Sequence, residues 1–281
     1  MPMSDHDARP SLAQRLNAWR GARAAHRTHA GLKRRCAKAL SLQERLPAGL
    51  REAWLDHAGD EFPGLPQSER AWLLASTGLL QFFLAAAAAD GPCALPSRAA
   101  DAVWHAWLRW DADGLAAFQR EWLGREIPHL EEPRLPGPLD HALSRCYAAC
   151  CRQEQLNPLY GRLPLVFELD GRLRMPGGWH YAWHKRQHCL SHQVLDADGD
   201  RRGRLQLHAV HGASLLSLGL LTASEQTAWH QHLHCLAERA NARLHGSAGS
   251  DCGSSLDLSS SSDGGSSCGS SCGSSCGSGG D

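Results

Sequence analysis

Asp101 and His105 stand four residues apart in the run Asp101-Ala102-Val103-Trp104-His105. On a helix that spacing puts a carboxylate and an imidazole on one face. The carboxylate can orient the ring and raise its basicity, as it does behind metal-binding and acid–base histidines. Ile127-Pro128-His129, downstream, offers a second imidazole. The competing reading is a packing histidine hydrogen-bonded to Asp101 and to backbone, with Trp104, Trp107 and Leu108 as the adjoining core stripe. Asp101, His105 and His129 are therefore the candidate catalytic residues, and Asp101, Trp104 and His105 form the motif.

A second pattern is His180-x3-His184-x3-His188-x3-His192, and nine of the 17 histidines fall between 180 and 234. Spacing by four repeats the face of a helix or of a strand. On a helix, neighbouring pairs could clamp a transition metal such as zinc, as i, i+4 histidines do. The ladder drifts by about 120° over about 18 Å, so all four cannot hold one ion. Completing a site would take ligands from Cys189, His208, His211, His230 or His234. On a strand, neighbours lie about 13 Å apart, too far to chelate. The alternative is a half-buried surface with Trp179, Tyr181 and Trp183 packed beneath it.

Other motifs carry less. Asp196-Ala197-Asp198-Gly199-Asp200 lacks the Gly and the Glu of a calcium loop, having Arg201 and Leu207 there, and reads as a polar turn. Cys146 and Cys150 share a helix face and read as buried structural thiols. No Cys-x2-Cys pair, Walker loop or Gly-x-Gly-x-x-Gly occurs. Cys268, Cys272 and Cys276 repeat every four residues in a tail whose 36 residues include 15 Ser and 10 Gly. Such a composition buries too little to offset its ordering entropy, so disorder is expected. Its thiols are weaker candidates for zinc or copper(I).

The elements that must position these residues follow from periodicity and breakers. Helices are predicted over 47–60, 67–89, 97–110, 111–123, 140–155 and 222–243, the last with Thr222 and Glu225 as a capping box. Ser97 is a good cap for the helix that bears Asp101. The run 163–169 reads as a short strand or extended segment, Asp170-Gly171 as a turn, and 205–209 as a strand. Residues 71–89 run without a charge, near the length of a membrane span. Gln81 and the closing alanines favour a buried core helix instead, and no transmembrane span is expected.

The zero formal charge is a sum of unlike parts: residues 1–50 hold ten basic and three acidic residues, and the tail holds four Asp and no basic residue. Zero net charge argues against a dedicated nucleic-acid binder. The leading basic segment, residues 9–45, still offers an arm for nucleic acid or anionic lipid, against the alternative of a solvated helix face. The N-terminus lacks an apolar stretch after a basic start, so a cytoplasmic location with reduced thiols is expected.

The stretch Leu95-Pro96-Ser97-Arg98 through Asp101-Ala102-Val103-Trp104-His105 to Leu108 resembles the signature of an uncharacterised bacterial family related to the plant glycine-rich domain proteins. That signature is a Pro-Ser-Arg lead, Asp-x-x-Trp-His and an apolar stretch, with a His-His pair some way downstream. Pro128-His129 stands in that place, so the first His of the pair is missing. Leu156 through Asp170 is similar to the segment that follows, and Gly/Ser/Cys-rich tails are common in the family. The resemblance covers roughly 45–175 and implies a helical domain without an established activity.

The expectation is a mainly α protein: a basic helical arm (1–46), a helical domain with the motif (47–158), a small mixed His-rich region (159–245) and a disordered tail (246–281). Functionally it reads as a non-enzymatic interaction protein with an unidentified protein partner and transition-metal binding through its His-rich region and Cys tail. The alternatives are an enzyme centred on Asp101 and His105, and an anionic-surface binder through residues 9–45.

Overall fold

A computed structural model describes residues 11–130, 134, 136–159 and 162–245. The tail cysteines Cys268, Cys272 and Cys276 lie outside the described residues. Contacts divide the chain at His234: residues up to it form one compact unit, and from Cys235 the described part is the end of one helix.

The fold is mainly α. Its centre is α4 (Glu69–Ala88), which is started by Ser68 accepting from the Ala71 N–H at 3.2 Å. It is long and apolar enough to cross a membrane, but 89% of its apolar window is buried inside the protein. α1 (Leu12–Arg35), α2 (Ala37–Gln43), α5 (Arg98–Leu123), α6 (Leu139–Gln153) and α7 (Leu165–Leu173) all pack on it. Small residues permit this close approach. A Cβ at Gly78 would lie 2.7 Å from Leu169 Cδ2. α3 (Leu50–Glu61) packs mainly on α5 and touches α4 through Trp54 and Trp72.

α5 corresponds to the two helices predicted over 97–110 and 111–123. They run on through a kink at Asp111 (φ −157°, ψ 81°), whose carboxylate accepts from the Gly114 N–H at 2.8 Å and restarts the helix.

The segment 163–169 is a correction. It is not a strand: from Leu165 it is the start of α7, with extended Pro164 before it, and Asp170-Gly171 lies within that helix rather than forming a turn. An apolar run of this length does not by itself separate strand from helix. The deciding interactions are remote. Gln81 Oε1 accepts from the Val166 N–H at 2.9 Å, and Glu154 Oε1 accepts from the Leu165 N–H, so α7 is capped by α4 and by the residue that ends α6.

Asp170 is buried (1% exposed) and joins three pieces of chain. It accepts from Ser97 Oγ (2.7 Å), Arg98 N (2.9 Å), Ala99 N (3.0 Å) and Trp179 N (3.1 Å). Burial pushes its carboxyl pKa up, while these donors pull it back. A Cβ at Gly178 would lie 2.5 Å from Asp170 Oδ2, so only glycine lets the chain pass here.

β1 (Trp179–His184), β2 (Cys189–Leu195) and β3 (Arg201–His211) form an antiparallel meander. β1 packs on α7, and β3 on α6 and on α8 (Gly212–Ser217). α9 (Ala223–His245) starts with the predicted capping box: Glu225 Oε2 accepts from the Thr222 N–H at 2.7 Å, and Thr222 Oγ1 accepts from the Glu225 N–H at 3.3 Å.

The basic N-terminal segment divides. Leu12, Leu16 and Trp19 are exposed, whereas Ala25 and Leu32 are buried. At its C-terminal end the Arg35 guanidinium is buried against Glu154 and reaches Glu168 at 2.7 Å.

Candidate metal centre

Ser97 starts α5 by accepting from the Ala100 N–H at 3.2 Å, and Asp170 fixes the same turn. One turn further on, Asp101 and His105 project from a common face. The chain then leaves α5 at Gly124 in a left-handed conformation (φ 75°). The Ile127 N–H donates to Gln119 Oε1 at 2.9 Å, and buried Ile127 anchors the return. This delivers His129 over Trp104, with ring centroids 4.5 Å apart and edge to face.

The result is a cluster of three donor atoms. His129 Nε2 lies 3.0 Å from Asp101 Oδ1 and 3.1 Å from His105 Nε2, and His105 Nε2 lies 3.7 Å from Asp101 Oδ2. A tetrahedral zinc with ligands near 2.0–2.1 Å separates them by about 3.3 Å, so these spacings suit one ion. The three side chains are half-buried.

A fourth residue stands behind them. Glu61, at the end of α3, accepts from His105 Nδ1 at 2.5 Å and pairs with Arg109 at 3.0 Å. The carboxylate fixes a proton on Nδ1 and leaves the Nε2 lone pair facing His129, the carboxylate–histidine arrangement of metal sites. Glu61 is 44 residues from His105 in sequence, and nothing local announces it.

The cluster opens into a cleft of about 850 Å³ that Asp101, Trp104, His105 and His129 share with Trp179, Tyr181, His192 and His208. That volume suits a small molecule. At this other part of the cleft Asp140, in the first turn of α6, accepts from His208 Nδ1 at 2.8 Å and from the Ala209 N–H at 2.9 Å. His208 Nε2 lies 2.7 Å from His192 Nδ1.

The histidine ladder folds as a hairpin, not as a helix. His180 and His184 lie on β1, His188 in the turn at φ 48°, and His192 on β2. His192 sits opposite Tyr181 in the register, so it shares the Trp179–Tyr181–Trp183 face, and His180 and His184 occupy the other. His180 packs beside Gly171 of α7, where burial and then Arg201 push its pKa down. His184 Nδ1 accepts from the Gln187 N–H at 3.3 Å. Of the four, His192 alone lines the cleft. Cys146 and Cys150 are buried free thiols, and Asp196–Asp200 is a turn held by Asp196 Oδ1 accepting from the Asp198 and Asp200 N–H groups at 3.0 and 2.9 Å.

No curated protein and no solved structure matches the chain. A family model, UCP032817-like, matches residues 53–199, which is more than half of it, and the chain belongs to that uncharacterised family. The matched span contains Glu61, Asp101, His105, His129, Asp140 and the whole hairpin.

Proposed function

We propose that this member of the UCP032817-like family binds one divalent transition-metal ion through Asp101, His105 and His129 and uses it on a small polar molecule in the adjoining cleft. The carrying observation is the convergence of three ligand atoms on an open cleft with Glu61 behind His105. Three protein ligands leave a position for water or substrate, the arrangement of catalytic rather than structural zinc sites. An ion there would supply Lewis acidity and a water activated near neutral pH. The relation to plant glycine-rich domain proteins rests on the same Asp101-x-x-Trp104-His105 motif and belongs to this proposal, as does a cytoplasmic location.

Metal analysis of the untagged full chain after dialysis with zinc tests the reading. About one equivalent is expected, lost in His105→Gln/His129→Gln and kept in a variant with His180, His184 and His188 changed to Gln. The reverse pattern moves the metal to the hairpin histidines, the weaker candidates. Substoichiometric metal in the parent chain overturns both.

A second reading, as an anionic-surface binder, is favoured by the N-terminal half of α1. Leu12, Leu16 and Trp19 are exposed along one face, with Arg15, Arg20, Arg23 and Arg27 interleaved. The buried Ala25 and Leu32 lie on the opposite side of the helix. A basic helix with an exposed apolar stripe suits a membrane surface. Co-sedimentation with anionic but not neutral vesicles, abolished by Leu16→Asp/Trp19→Asp, is the expected result. Equal sedimentation with both variants and both vesicles removes this reading.

A further inference from the structure

The second histidine cluster of the cleft has a direction built into it. Asp140 accepts twice, from His208 Nδ1 at 2.8 Å and from the Ala209 N–H at 2.9 Å. An ionised carboxylate has no proton to give and only accepts. His208 must therefore carry its proton on Nδ1. In the neutral ring this leaves His208 Nε2 as an acceptor, and the contact at 2.7 Å obliges His192 to donate from Nδ1. His192 Nε2 is then a bare lone pair on a residue that lines the cleft.

The surroundings support this state. His192 is only 7% exposed, and Tyr181 of β1 packs on both rings, with centroids 5.4 Å from His192 and 5.8 Å from His208. The groups facing the pair are Tyr181 from β1 and Asp140 from α6, with no cationic side chain among these contacts. Burial, with His208 contributing, holds the His192 ring below its usual pKa and so neutral.

We propose that His192 is the proton acceptor of the cleft, with its Nε2 engaging an O–H or N–H group on the bound small molecule. His208 and Asp140 are positioning residues that fix its tautomer. If the bound group ionises, its proton moves to His192 Nε2. The ligand keeps the electron pair, and the resulting imidazolium is held through His208 by the Asp140 carboxylate. This assignment goes beyond the metal reading and needs no ion, so the two can fail separately.

The test is nitrogen NMR of the metal-free full chain with labelled histidine, about one unit above the ordinary histidine pKa, near pH 7.5. His192 and His208 should each show a protonated Nδ1 and a bare Nε2. A protonated Nε2 on His192, or an imidazolium, overturns the assignment. Asp140→Ala should release the fixed tautomer of both rings, while Asp140→Asn, which still offers an oxygen, should restore it in part. An unchanged His192 signal in Asp140→Ala overturns the relay. Phenol and anisole then serve as matched probes that differ in one O–H. Phenol should shift the His192 Nε2 signal, anisole should not, and His192→Phe should abolish the preference for phenol. An equal response to both probes, or a response to neither, overturns the donor-accepting role. The same spectra after zinc addition report on Asp101, His105 and His129 independently.

Discussion

The cleft holds two histidine pairs, each backed by a carboxylate, and their different geometry gives them different chemistry. At His105 and His129 the carboxylate of Glu61 stands behind one ring, while Asp101 adds a third donor atom in front. Donor atoms there converge on a point. At His192 and His208 the chain is linear: Asp140, then His208, then His192, each contact using up one nitrogen. A converging set can share a cation, whereas a linear set hands on a proton. The presence of an Asp or Glu on the imidazole does not distinguish them; the second carboxylate, Asp101, within reach of both rings of the first pair does.

The comparison can be attacked at its base first. Asp170 fastens the start of α5, which bears Asp101, and the start of β1, which faces His192. Asp170→Ala leaves buried donors without an acceptor and should cost at least about 3 kcal/mol. In a chain of this size the melting temperature should fall by about 6 °C or more, read by calorimetry. A smaller loss would show that the two clusters are held independently.

Within a folded protein, Glu61→Gln and Asp140→Asn separate the pairs. Zinc affinity measured by competition with a chelator should fall by roughly 10- to 100-fold in Glu61→Gln and stay unchanged in Asp140→Asn, because outer carboxylates tune only the ligands they touch. Equal losses in both variants would merge the two clusters into one site.

The smallest expected effect is in pH. The pKa of His192 is depressed in the fold, by burial first and then by His208, and that of His180 likewise by burial and then by Arg201. The unfolded chain therefore binds protons first as pH falls. The contribution is fully present above about pH 6.5 and is lost below it, as pH falls toward the folded-state values. Chemical denaturation of the metal-free protein should show stability declining below pH 6.5. His192→Gln should flatten that decline. An unaltered slope would mean that His192 is not held neutral.

Much of the first cluster was legible because its information is local. Ser97 as a cap, Asp101 and His105 on one face, and Pro128-His129 after the helix are short-range signals. Glu61 and Asp140 were not legible, since their relation to His105 and His208 exists only once α3 meets α5 and α6 meets β3. The same reason explains α7. Its apolar run fits two periodicities, and the choice falls to Gln81 and Glu154, distant in sequence. The histidine ladder shows the opposite hazard. Its regular spacing allows one face of a helix or of a strand, but Tyr181 opposite His192 puts His192 on one side of a hairpin and His180 and His184 on the other.

The burial of Arg35 marks where the N-terminus ceases to be expendable. Up to about Arg23 the chain could be trimmed with little loss to the body, since the described side chains there are exposed. Removing Arg35 as well would strand Glu154, whose side chain has no exposure, as an uncompensated charge beside α7. The leading basic segment thus contains both a replaceable surface and a tether, and the limit of tolerable truncation falls between them.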